Sequence, residues 1–267
     1  MAEEDQVLDL LADRGVLEAL LWAHGSAYGQ VRQDFNPEGG QKQGWIGYNA
    51  YTYLVDRLDR VFQCGDYQAP SGEGPVGRDV LAAGISDFAA MPDLAPGTVV
   101  RHDLNGSPGW MVDGWRWLLA SYPFGQVTKI RWTDKSETKQ TVARQPHNTD
   151  DGGLFTIEDV AGLPRLEELG DHEQLLRKTL VLAHAMDSNT VDFELFLGRI
   201  RWNQDRGDAW VWRSDLLDRQ TPPPAGRTTP KLPDNPVPPS STEANDAPVS
   251  IRRLPNDSSA PRAIGEA

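Results

Sequence analysis

The chain has a single cysteine, Cys64, among 267 residues. One thiol excludes an intramolecular disulfide framework and any zinc site built from several thiolates, and it fits a reducing compartment. Long apolar runs are missing too. No stretch approaches the roughly 18 apolar residues of a membrane span, and the opening Met-Ala-Glu-Glu-Asp has neither the basic nor the apolar region of a signal peptide. The expected location is the cytoplasm, with no membrane partner. Lysine is scarce, six against 20 arginines, which with abundant Ala and Gly points to a GC-rich bacterial or phage genome. Positive charge as a whole is in deficit. A net charge of −13 repels nucleic acid and anionic surfaces at long range and leaves room for cationic partners.

Apolar and aromatic residues are not lacking. Nine Trp, seven Phe and six Tyr with 39% hydrophobic residues exclude a wholly disordered chain. They stop abruptly: no aromatic residue follows Trp212, and 11 of the 20 prolines lie after Arg219. Residues 219–267 therefore read as a disordered, proline-rich tail, because such composition cannot offset the entropy of ordering. The tail holds six basic and five acidic residues, so residues 1–218 carry −14. One apolar island, Val249-Ser-Ile-Arg-Arg-Leu254, is a candidate docking motif for a protein partner.

Residues 1–218 read as one α+β domain, helical over 1–95 and sheet-rich over 96–218. Val7, Leu10, Leu11, Leu17, Leu20, Leu21 and His24 recur at helical spacing and predict a helix over 4–24, with Gly15 as its weak point. Ile46, Ala50, Tyr53, Leu54, Leu58, Val61 and Phe62 predict a second, with Asp56 and Arg60 paired one turn apart and Gly65 beyond its end. From Thr98 the period shifts toward two. Strands are expected at 99–102, 110–112, 115–119, 127–132, 139–144, 175–184, 190–202 and 209–213, separated by turns such as Asn105-Gly106, Asp113-Gly114 and Met186-Asp-Ser-Asn189. A short helix near Thr156-Ile-Glu-Asp159 is suggested by a capping box. The expected architecture is N-terminal helices packed on a mostly antiparallel sheet, with the strands running as a meander. Lys129-Ile-Arg-Trp132 and Arg199-Ile-Arg-Trp202 echo each other at two expected strand ends.

No motif in the chain specifies a reaction. His24, His102, His147, His172 and His184 are scattered with no pair at i,i+4, and no phosphate-cradling glycine loop or nucleophile elbow is present. Cys64 has no designated base, and the helix C-terminus it follows opposes a thiolate. Ser136-Glu-Thr-Lys139 has the Ser-x-x-Lys spacing of penicillin-recognising enzymes, which need both residues at a helix N-terminus; here they fall at an expected hairpin turn. Glu137 and Lys139 also share the Glu-x-Lys spacing of metal-dependent nucleases. Asp103 upstream would complete a Mg²⁺ site, the only cofactor the sequence raises.

The strongest local departure is charge. Between Arg116 and Arg144 the chain holds Arg116, Lys129, Arg131, Lys135, Lys139 and Arg144 against Asp134 and Glu137, or +4 within a chain of −13. If 127–132 is a strand, Lys129 and Arg131 project from one face of a basic β-hairpin. Trp115 and Trp117 on one strand face could add a stacking platform for bases, or simply pack. The reading favoured is a non-enzymatic interaction or regulatory protein that meets its partner through the basic hairpin or the tail. The alternatives are the nuclease built on Asp103, Glu137 and Lys139, and a nucleic-acid binder without catalysis.

Overall fold

The computed structural model describes residues 2–145, 175–190 and 192–219. The expected helix near 156–159, the tail and its island at 249–254 lie outside them. By internal contacts the chain divides into Met1–Thr221 and Pro222–Ala267, and all described residues belong to the first unit.

The fold is α+β, with N-terminal helices preceding a six-stranded, mostly antiparallel sheet. The expected first helix is two: α1 (Glu3–Asp13) and α2 (Val16–Asp34). The break falls at Gly15, whose φ of +70° is the left-handed conformation that glycine adopts without a Cβ clash. The second helix then runs ten residues beyond His24, because Ala27, Tyr28 and Val31 continue its buried stripe. Helix α3 (Gln43–Phe62) follows the apolar spacing closely, and Asp56 and Arg60 form the expected pair at 3.0 Å. A single turn, α4 (Arg78–Ala82), completes this layer.

Strands β1 (Val100–Arg101), β2 (Gly109–Val112) and β3 (Trp115–Ser121) form the expected meander. Asp113 and Gly114, both at positive φ, make the tight turn between the last two, whose twist suits a hairpin. The meander stops there. The next strand, β4 (Thr179–Met186), lies beside β3 in parallel, with Ser121 opposite His184. Strands β5 (Phe193–Ile200) and β6 (Trp210–Asp215) then extend the sheet antiparallel.

The two expected strands between β3 and β4 are not strands. Residues 127–132 form two 3-10 turns, Val127–Lys129 and Trp132–Asp134, joined by Ile130 and Arg131. Residues 139–144 belong to helix α5 (Glu137–Ala143) and its end. Thr138, Val142 and Ala143 are buried at helix spacing, and Val127, Ile130 and Trp132, spaced three and then two apart, keep no regular strand alternation. No basic β-hairpin exists, and the duplicated tetrapeptide marks no duplicated hairpin.

The sheet is covered on both faces. Leu8, Leu20, Leu58 and Phe62 of the helices pack on Trp117, Leu119, Leu182 and Leu197. On the other face Val127, Ile130, Trp132 and Val142 pack on Leu118, Ala120, Val181 and Ile200. Every residue of β4 is buried, as expected of a strand enclosed on both sides. No helix among the described residues is long and apolar enough to cross a membrane.

Candidate functional site

The carboxyl ends of β3 and β4, the parallel pair, carry one group of perturbed titratable side chains, another being Asp59, Cys64 and Arg101 beside α3. Parallel strands leave their connecting segments and free polar groups at that end, where ligands of open sheets commonly bind.

On the face away from the long helices, the chain leaving β3 turns at Gly125, whose φ is +73°. Glu194 of β5 holds that turn by accepting the Tyr122 hydroxyl at 2.9 Å and the Gly125 N–H at 3.0 Å. Further along, Asn203 pins the 3-10 segment. Its Nδ2 donates to the Ile130 carbonyl at 2.7 Å, and its Oδ1 accepts the Trp132 N–H at 3.3 Å. Two indoles do the same from inside, Trp132 donating to the Ala209 carbonyl at 2.7 Å and Trp210 to that of Val127 at 2.8 Å, with their rings edge-on at 5.5 Å.

These anchors leave a cleft of about 330 Å³. Tyr122 and Ile130 are its buried lining; Pro123, Gln126, Lys129, Arg131, Asp134 and Lys135 surround them. Lys129 and Arg131 are exposed, and Arg131 is paired with Asp134 at 3.4 Å. Lys135 is half-buried and donates to the Ser121 carbonyl at the tip of β3, at 2.6 Å. One turn on, Lys139 is also half-buried and has no hydrogen bond or ion pair among the described residues. Burial lowers the pKa of both lysines. Lys135 lowers that of Lys139 further, while Asp134 partly restores Lys135. Lys135 thus has Asp134 as a nearby counter-charge, while Lys139 has no carboxylate paired to it among the described residues.

Across the sheet end lies a second polar group. His184 of β4 and His24 and Tyr28 of α2 are fully or almost fully buried, and Tyr28 Oη meets His184 Nδ1 at 2.7 Å. Both imidazoles are pushed down to about 3 by burial. The charge of His184 adds to the effect on His24, against a smaller opposite pull from the Glu194 backbone; Lys135 and Lys139 add to the effect on His184. Among the described residues neither nitrogen of His24 nor Nε2 of His184 makes a hydrogen bond of good geometry, the Glu194 backbone being the nearest polar group to His24 that acts on it. Neutral imidazoles are therefore built into the core beneath the two lysines.

The residues expected from sequence separate into three groups. Lys129 and Arg131 do come together at the cleft, by turns instead of strand alternation, while Lys139 stands on α5 outside its lining. Arg144 closes α5 on the surface with its guanidinium 4.0 Å above the Trp202 ring. Arg116 and Trp117 are not surface groups. Arg116 is buried, donating to Thr179 Oγ1 at 2.9 Å and meeting His102 Nδ1 at 3.3 Å, and Trp117 is core. Trp115 packs half-buried on the same core, with Arg199 and Lys178 near its ring at 5.8 and 5.9 Å, so the stacking platform is packing.

The nuclease residues are not brought together. Asp103 accepts from Arg101 Nε at 2.5 Å and from the Gly109 N–H at 3.1 Å, and Arg101 also reaches Asp59 of α3. Glu137 opens α5, whose Val142 and Ala143 pack on the opposite face of the sheet. Among the described residues no three His, Cys, Asp or Glu side chains are placed to share a metal ion. Ser136 does stand at a helix N-terminus, contrary to the sequence expectation, but its side chain makes no capping bond.

Sequence reasoning passed over Tyr122, Glu194, Tyr28 and His184 as site residues. The available signal was a histidine in an otherwise apolar run, His24 in a helical stripe and His184 within Leu180-Val-Leu-Ala-His-Ala-Met186. No family model, curated protein or solved structure matches the chain.

Proposed function

We propose that this is a non-enzymatic binding protein that holds an acidic group of its ligand or partner at the cleft beside Lys135 and Lys139. The observation that carries the reading is the pair itself: two half-buried ammonium groups, one turn apart, without a carboxylate between them among the described residues. In a chain of −13 carboxylates are abundant, so a cationic site left open is a departure from composition. An anion entering there relieves the lysine–lysine repulsion and meets both charges where water is partly excluded, which strengthens the attraction. The partner is drawn to this turn-and-helix segment instead of a hairpin, in a cytoplasmic protein of bacterial or phage type. The nuclease reading gains nothing from the placement of Asp103.

The test is an NMR titration of the full chain with inorganic phosphate, following the lysine side-chain signals. Saturable shifts of Lys135 and Lys139, accompanied by backbone amide shifts at residues 130–138 that are lost in K135M/K139M, support the reading. Shifts that stay linear and no larger than those of Lys178, which lies outside the cleft, reject it.

A further inference from the structure

The lining of the cleft is two-sided, and this bears on which anion fits. On one side stand Lys129 and Lys135, with Lys139 four residues beyond Lys135 and outside the lining. The inner surface is Tyr122 and Ile130, 6% and 3% exposed, with Pro123 beside them. About 330 Å³ lies at the small end of ligand pockets. At the packing density of organic solids it holds a body of roughly ten to fifteen non-hydrogen atoms. A bare inorganic anion would leave the apolar part wet. A molecule with an anionic head and a compact apolar body satisfies both parts.

A polyanion fits worse. Arg131, exposed and well placed for a phosphate backbone, is already paired with Asp134, whose carboxylate faces any strand laid along this surface. Arg116 is buried, so the basic residues form no continuous track. Nucleic-acid affinity is built from many phosphate contacts, each releasing counterions. The cleft offers two or three cations within a body carrying −14 over residues 1–218. Glu194, the other nearby acid, accepts the Tyr122 hydroxyl and the Gly125 N–H and so shapes the turn.

We infer that the cleft takes a small organic anion, a carboxylate or phosphate on an aromatic or branched aliphatic body, with the charged group at Lys129 and Lys135 and the body against Pro123 and the exposed edges of Tyr122 and Ile130. This rests on the anion-site reading above. Calorimetry on the full chain compares phenyl phosphate with inorganic phosphate, phenylacetate with acetate, and both with a dodecamer of thymidylate.

At least one aryl ligand should bind ten-fold or more tightly than its bare anion, and the pair that shows it tells phosphate from carboxylate. Its affinity should fall at least ten-fold in K135M, which keeps the aliphatic stem and hence the packing, and less in K139M, whose charge lies outside the lining. Bare anions that match their aryl partners, with both bound, overturn the organic-anion inference and leave the anion site standing. A dodecamer that binds more tightly than either aryl ligand overturns it in favour of nucleic acid. Absence of binding by every probe overturns the anion site itself.

Discussion

Lowering the pH from 7.5 to 5.5 should destabilise this protein through His24 and His184. Both imidazoles are held to about 3 in the fold, against about 6.5 in the unfolded chain. Between those values the unfolded chain binds protons that the folded chain refuses. The stability contributed by the two groups is therefore complete above pH 6.5, falls as the pH drops toward 3, and levels off below. At pH 5.5 each histidine costs RT ln(1 + 10), on the order of 1 kcal/mol, and at pH 7.5 almost nothing. Because both stay neutral in the fold over this window, their mutual repulsion never operates and the two costs add, to about 2–3 kcal/mol. Urea unfolding read by tryptophan fluorescence at the two pH values measures it directly. H24Q should retain about half the loss, and H24Q/H184Q should lose nearly all of it. A midpoint that moves equally in wild type and double variant would refute the reasoning, as would an imidazole signal from either histidine that titrates above pH 5.

Two further outcomes follow from the cleft. K139M removes a half-buried cation whose charge burial and Lys135 both disfavour, so without ligand it should raise the stability by a few tenths to about 1 kcal/mol while weakening anion binding, read by urea unfolding and calorimetry on one preparation. N203A leaves the Ile130 carbonyl and the Trp132 N–H without their partner inside the fold; a loss of about 2–4 kcal/mol is expected by thermal unfolding, and phosphate shifts at Lys135 should shrink as the 3-10 segment loosens.

The helices were legible because their signal is local. An apolar stripe at helical spacing, as in α3, needs only the chain's own period to declare itself, and the Asp113-Gly114 turn declares itself by residue type. The misreading of 127–132 had a physical cause as well. Val127, Ile130 and Trp132 are β-branched or aromatic, which reads as strand, yet the segment is held by the distant Asn203, Ala209 and Trp210. No local pattern encodes a backbone tied down by side chains some 70–80 residues away. Arg116 and Trp117 were misplaced as surface groups for a related reason: alternation tells which residues share a face, and the three-layer packing alone tells that both faces are covered.

By itself the sequence determined the α+β class, the helical N-terminal layer, the position of the first hairpin and the unusual run of basic residues, because each depends on neighbours within one or two turns of chain. Tertiary structure alone decided that β3 and β4 run parallel. It likewise decided that the basic run folds as turns and a helix, that Lys135 and Lys139 stand together without a carboxylate, and that two neutral histidines lie beneath them. Those features depend on which groups water is removed from and which charges are then left facing one another, and that is set by the packing of segments far apart in the chain.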